Sequence, residues 1–90
     1  MRVSVIYRSN SEHERQVIEF EREFEQRTGR SLELLDVNTR DGSATASLYD
    51  MMAYPMVIAI SNEGSIMQSW QASNGMPLIN EVSYYANNNY

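Results

Sequence analysis

Residues 53–60 read Ala53-Tyr54-Pro55-Met56-Val57-Ile58-Ala59-Ile60, a proline followed by an unbroken apolar run. The run contains β-branched residues, and the polar sequence Ser61-Asn62-Glu63-Gly64 closes it. An apolar run of this length is typical of a strand that is buried on both faces. We therefore expect a central strand here, with other elements packed against both of its sides.

Two strands and a helix are predicted before this run. Residues 2–7 and 31–37 alternate apolar side chains in the period of a strand, with apolar residues on both faces. Between them, Ser11 and Glu14 have the form of a capping box that would begin a helix. Gly29 suits the left-handed position that ends it. His13, the only histidine, is expected to be exposed to solvent rather than part of a metal site.

A second helix is predicted between residue 44 and the central strand. Its apolar positions run from Ala44 to Met52, and Asp41 or Ser43 would cap its start. It must end before Pro55, because the residue ahead of a proline is pushed out of helical geometry.

A hairpin and a third helix complete the predicted elements. A short turn containing glycine joins the central strand to residues 65–70, which alternate like a strand. Pro77 fits the first turn of a helix. The apolar stripe of that helix consists of Leu78, Ile79, Val82, Tyr85 and Ala86. Residues 87–90 are expected to form a frayed tail.

Length and charge limit the classes of function. Ninety residues predict a single domain over 1–90. The net charge of -5 opposes nonspecific binding to nucleic acid or to anionic membranes. No segment approaches the roughly 18 apolar residues of a membrane span. The start of the chain does not have the pattern of a secretory signal, so we expect a cytoplasmic location.

The predicted order β-α-β-α-β-β-α resembles that of the thioredoxin-like superfamily in its short, glutaredoxin-like form, over nearly all of the chain. Tyr54-Pro55, at the entry to the third strand, is similar to the family's cis-proline. The turn at residues 62–64, followed by a strand that ends in Trp70, is similar to the family's hairpin. The resemblance implies an α/β fold with a four-stranded mixed sheet flanked by three helices. A right-handed helical crossover is expected between the first two strands, and such a connection makes them parallel.

The chain lacks the cysteines on which the family's chemistry depends. Thioredoxins and glutaredoxins carry a Cys-x-x-Cys motif at the start of the first helix, where the helix terminus stabilises a thiolate. The matching residues 11–14 read Ser-Glu-His-Glu, and the sequence contains no cysteine. Because a serine cannot form a disulfide, thiol-disulfide oxidoreductase activity is excluded. We predict a redox-inactive domain with no catalytic residue, metal or cofactor.

The resemblance then implies a role in binding an unknown protein or peptide. In the redox-active relatives, an extended substrate pairs with the backbone just before the cis-proline. The corresponding platform here is flanked by the loop after the first strand and by the loop at residues 73–75. The candidate partner-binding residues are Ser9, Asn10, Ser11, Ala53, Tyr54, Pro55 and Trp70, in which Tyr54 and Trp70 are the expected exposed aromatic anchors.

Two other hypotheses remain open. By analogy with glutathione transferases, which share this fold in one domain, Tyr7 or Ser11 could act on bound glutathione. The alternative roles of these residues are packing for Tyr7 and helix capping for Ser11. The third hypothesis is a homodimer formed through helix faces or a free sheet edge.

Overall fold

The strands and helices follow the predicted order β-α-β-α-β-β-α. The computed structural model describes residues 2–49, 53–72 and 75–86. Its elements are β1 (Arg2–Tyr7), α1 (Glu14–Thr28), β2 (Glu33–Asp36), α2 (Arg40–Leu48), β3 (Met56–Ile60), β4 (Ile66–Gln71) and α3 (Ile79–Ala86). The predicted end of the second helix at Met51 and Met52, the loop residues 73–74 and the predicted tail 87–90 lie outside the described residues.

The strands form one mixed sheet in the order β2-β1-β3-β4. β1 and β2 are parallel, with Tyr7 opposite Asp36. β3 is antiparallel to β1, and β4 is antiparallel to β3, with Val57 opposite Trp70. The predicted α/β class, the parallel first pair and the hairpin are therefore confirmed.

The central strand β3 is covered on both faces, as its apolar run predicts. Val57 and Ala59 belong to a core cluster that also contains Phe24 of α1 and Val82 of α3. Ile58 and Ile60 point the other way, into a second cluster that contains Ala46 of α2. Helices α1 and α3 thus pack on one face of the sheet, which we call the α1/α3 face, and α2 packs on the opposite α2 face.

Helix α1 docks through one apolar stripe and ends as predicted. Val17, Phe20 and Phe24 are its buried residues. Gly29 follows the helix in the left-handed conformation, with φ of 74°, and its N–H donates to the carbonyl of Glu25 at 2.8 Å. A glycine adopts this conformation without the steric cost that a Cβ would add.

The predicted capping box at the start of α1 is wrong. The helix begins at Glu14 with His13 at the N-cap, and no side chain caps it. The hydroxyl of Ser11 instead donates to the carbonyl of Arg8 at 2.6 Å. Asn10 is in the left-handed region, with φ of 57°, so the chain turns back just before Ser11. The Ser11 side chain therefore stabilises the loop and does not cap the helix.

The predicted cap of α2 is also wrong. Thr39 is the N-cap, and its side-chain oxygen accepts the N–H of Gly42 at 3.1 Å. Thr39 has the extended backbone that an N-cap requires, whereas the proposed caps Asp41 and Ser43 already lie inside the helix.

Helix α3 begins at Ile79, after Pro77 and Leu78. Leu78 therefore lies outside the apolar stripe in which it was predicted, and its side chain is 68% exposed. The rest of that stripe packs against the core as predicted, at Ile79, Val82, Tyr85 and Ala86. Among the helices within the described ranges, none has the length and apolar character needed to span a membrane.

Candidate functional site

Three connecting segments meet at one edge of the sheet. β1 and β2 are parallel, so their carboxyl ends lie side by side, with Tyr7 opposite Asp36. β3 runs the other way, so its start lies beside the end of β1, with Met56 opposite Ile6. The segment 53–55 before β3 and the loops after β1 and β2 therefore meet at this edge. We call residues 8–11 the β1 loop.

The β1 loop is fastened to the end of β2 by side-chain hydrogen bonds. The N–H of Ser9 donates to Oδ1 of Asp36 at 3.0 Å. The Asn38 side-chain amide donates to the hydroxyl oxygen of Ser9 at 2.9 Å and to its carbonyl at 3.3 Å. These bonds cross between two parts of the chain that are 27 to 29 residues apart. They fix the position of Ser9 relative to the sheet.

The same loop is closed on its other side by His13. The N–H of Arg8 donates to Nε2 of His13 at 3.1 Å, next to the bond from the Ser11 hydroxyl to the Arg8 carbonyl. The prediction that His13 is simply exposed is therefore wrong, because its ring is half-buried and accepts a backbone hydrogen bond. Hydrogen bonds therefore hold the β1 loop at both of its ends.

Two ionisable groups at this edge are perturbed. Hydrogen bonds from Ser9, and next from Asn38, hold the pKa of Asp36 below its ordinary value, because they stabilise the ionised carboxylate. Burial, and then the nearby carboxylates of Asp36 and Glu14, raise the pKa of Tyr7. Desolvation and negative neighbours both disfavour a phenolate.

These contacts do not favour the glutathione hypothesis. A tyrosine that stabilises a thiolate must be a strong hydrogen-bond donor, and a raised pKa makes the Tyr7 phenol a weaker one. The Ser11 hydroxyl has a single proton, which it donates to the carbonyl of Arg8.

The Ala53-Tyr54-Pro55 segment lies against the β1 loop. The guanidinium carbon of Arg8 is 5.7 Å from the centre of the Tyr54 ring, within cation–π range. The Tyr54-Pro55 peptide bond is cis. Pro55 is buried, while Ala53 and Tyr54 are half-buried. The carbonyl of Pro55 accepts the N–H of Ala72 at 3.1 Å, so the segment is also tied to the residue after β4.

Trp70 is not part of this arrangement. It lies opposite Val57 and packs on the α1/α3 face, whereas Tyr54 packs on the α2 face. Its indole N–H donates to Oε2 of Glu81 at 3.2 Å. Its ring meets the ring of Tyr85 edge-on, with 5.5 Å between centroids. The structure thus brings Arg8 of the β1 loop against Tyr54, ties Ser9 to the end of β2, and places Trp70 on the other face of the sheet from Tyr54.

An open depression continues from the β1 loop along the outer face of α1. It has a volume of about 430 Å³, and its lining includes Ser11, Glu14, Arg15 and Ile18. Arg15 pairs with Glu19 at 3.1 Å, and both side chains are mostly exposed. A pair of this kind contributes little to stability.

The polar and aromatic groups at this edge of the sheet are suited to non-covalent contacts. Across residues 2–49, 53–72 and 75–86, no three His, Asp or Glu side chains converge to hold a metal ion. The groups present include the hydrogen-bond donors and acceptors of the β1 loop, the guanidinium of Arg8, the carboxylate of Asp36 and the rings of Tyr7 and Tyr54. Such groups can orient an extended partner through polar contacts and through the face of Tyr54.

Comparison with known proteins identifies no relative of this chain. No family model matches the chain, and no curated protein or solved structure matches it either.

Sequence reasoning missed Asp36 and Asn38. The sequence did contain a local signal, since an aspartate at the end of a strand often accepts the N–H two residues later. Oδ1 of Asp36 accepts the N–H of Asn38 at 2.9 Å in this way. The hydrogen bonds that Asp36 and Asn38 make with Ser9 could not be predicted from the sequence, because they depend on the parallel pairing of β1 with β2.

Proposed function

We propose that the chain is a thioredoxin-like domain without thiols that binds an extended segment of a protein or peptide at the edge formed by Tyr54-Pro55 and the β1 loop. The order of elements, the parallel β1–β2 pair and the position of Tyr54-Pro55 before β3 support the resemblance. The sequence contains no cysteine, so binding without disulfide exchange is the part of the family's behaviour that it can retain.

The observation that carries the proposal is the contact between Arg8 and Tyr54. It brings together two segments that lie 46 positions apart in the chain, since 54 − 8 = 46. The Tyr54 ring is half-buried, so it is held in place while part of it still faces solvent. Aromatic and arginine side chains are the residue types that most often dominate binding energy at interfaces. Tyr54 belongs to the predicted platform, and Arg8, which the sequence did not single out, lies against its ring.

The rigidity of the β1 loop also supports a binding role. Backbone or side-chain groups of Arg8, Ser9 and Ser11 are all engaged in hydrogen bonds within the domain. A loop that is already ordered loses little conformational entropy when it binds a partner. More of the gross interaction energy then appears as affinity.

The proposal is tested with selected peptides and matched variants. Peptides that bind the intact chain are selected from a displayed random library, and the strongest is titrated into isotope-labelled protein. We expect amide shifts at residues 8–11, 53–54 and 71–72. Tyr54→Ala should weaken binding by about tenfold or more, because truncating an anchor typically costs at least about 1 to 2 kcal/mol.

The matched control is Tyr84→Ala. Tyr84 is a tyrosine of α3 with 66% of its surface exposed, and α3 packs on the α1/α3 face. It should leave the affinity unchanged. Shifts confined to the outer face of α1, or equal losses of affinity in the two variants, would overturn the proposal.

A further inference from the structure

The outer edge of β4 carries no charged side chain, unlike β2 at the other edge of the sheet. β4 is the last strand in the sheet order, so within the described residues it has a strand neighbour on one side only. Its sequence, Ile-Met-Gln-Ser-Trp-Gln, contains no charged residue and no proline. Five of its six residues are exposed, and Met67 is 54% exposed. Strand edges without charge or proline are prone to pair with another strand.

The register shows which backbone groups face outward. The N–H of Ala72 donates to Pro55 on the β3 side, and residues alternate along an antiparallel ladder. Gln68 and Trp70 therefore also direct their backbone groups to β3, and Ser69 and Gln71 direct theirs away from the sheet. The outward N–H of Ser69 is met at 3.0 Å by Oε1 of the neighbouring Gln68 side chain. The Gln68 side chain thus accepts the hydrogen bond that the backbone of a neighbouring strand would otherwise accept.

The opposite edge of the sheet has a different character. β2 begins with Glu33 and ends with Asp36, so a carboxylate stands at each end of this short strand. A second copy paired there would bring carboxylates of the two chains close together, which is unfavourable. Charge repulsion therefore opposes pairing of β2 with β2 of a second copy but does not oppose pairing of β4 with β4.

We propose that the outer edge of β4 pairs with the same edge of a second copy of this chain, antiparallel about a two-fold axis at Ser69. In this register Ser69 faces Ser69 of the second copy, and Met67 faces its Gln71. Two protein molecules that each carry a net charge of -5 repel one another, so they associate best through a surface that carries no charge. β4 is such a surface, and two-fold pairing places each of its neutral residues against another neutral one.

The expected dimer is weak. The register of β4 against β3 shifts between Ala59 and Ile60, because Gln68 faces Ala59 and Ile66 faces Ile60. Met67 is therefore an extra residue that interrupts the ladder and shortens the regular part of the edge. Interfaces that bury little area are usually weak or transient. Association should accordingly depend on protein concentration.

Cross-linking tests the register directly. The sequence has no cysteine, so one introduced cysteine gives an unambiguous product. Ser69→Cys should form a covalent dimer under mild oxidation, because facing residues of a hydrogen-bonded pair have Cα atoms about 5.5 Å apart, within the range of a disulfide. The matched control is Ser47→Cys, an exposed serine of α2. Equal yields from the two variants, or no dimer from Ser69→Cys, would overturn the proposal.

A charge variant tests it without cysteine. Ser69→Lys and Ser47→Lys both change the net charge from -5 to -4, since one lysine adds one positive charge. Only the first places like charges face to face across the axis. Sedimentation at increasing concentration should show self-association in the parent chain and in Ser47→Lys, and roughly fivefold weaker association in Ser69→Lys. A parent chain that stays monomeric, or one whose β4 amides shift only when a different protein segment binds, would contradict a second copy as the occupant.

Discussion

The carboxylate of Asp36 accepts the amide N–H of Ser9 at 3.0 Å and thereby ties the loop after β1 to the end of β2. The same oxygen accepts the N–H of Asn38 at 2.9 Å. An ionised acceptor makes stronger hydrogen bonds than a neutral one. The charge of Asp36 therefore helps to set the conformation of the loop that faces Tyr54.

Asp36→Asn should lower stability in a pH-dependent way. The folded-state pKa of Asp36 is below its ordinary value, so the ionised form stabilises the folded chain. This contribution is complete above the unfolded pKa of about 3.9 and is lost as the pH falls through the lower folded value. Urea midpoints measured from pH 7 down to pH 3 should show a deficit in the variant that shrinks with acidification.

The control for this series is Glu63→Gln, an exposed carboxylate in the β3–β4 turn. It removes one exposed carboxylate away from the β1 loop, so its urea midpoint at pH 7 should stay close to that of the parent chain. A deficit of Asp36→Asn that stays constant from pH 7 to pH 3 would show that side-chain shape, rather than charge, holds the loop.

Gly42→Ala should be strongly destabilising, although alanine is normally the better residue in a helix. A Cβ at Gly42 would overlap the backbone carbonyl of Asp36, and backbone atoms cannot move aside as a flexible side chain can. We expect a loss of about 3 kcal/mol in the free energy of unfolding. Gly64→Ala is the matched control, because its Cβ meets open space and its cost of about 1 kcal/mol comes only from φ of 88°. Similar losses in both variants would argue against the overlap.

The sequence predicts the layers of this fold well because burial on two faces has a periodic signature. The apolar run over β3 and the alternating residues of β1 predict side chains on both faces. Val57 and Ile58 do enter different core clusters. The period of a strand depends only on the backbone, so it needs no knowledge of distant contacts.

The details of the site could not be predicted in the same way. Ser11 fits a capping pattern, yet its hydroxyl bonds to Arg8 because the left-handed Asn10 turns the chain back. Trp70 has the residue type of an interface anchor, but its place on the α1/α3 face follows from its register against Val57. These outcomes depend on pairing between strands, which a single sequence does not specify.

The bond from the Trp70 indole to Glu81 should couple β4 to α3. Trp70→Phe keeps an aromatic ring near Tyr85 but removes the N–H that donates to Oε2 of Glu81 at 3.2 Å. A hydrogen bond of this kind contributes about 1 kcal/mol, so Trp70→Phe and Glu81→Ala should each destabilise the chain by at least about that amount. The double variant should lose about 1 kcal/mol less than the sum of the single losses.

Urea unfolding of all four proteins in this double-mutant cycle is followed by circular dichroism. Tryptophan fluorescence is unsuitable because Trp70 is the only tryptophan and two of the variants lack it. Asn80→Ala, an exposed change on the same helix, controls for helix propensity. Strictly additive losses would mean that Trp70 and Glu81 contribute separately. A shortfall confined to the Trp70 and Glu81 pair would show that this bond, together with the ring contact to Tyr85, holds α3 against the strand whose outer edge we propose as an interface.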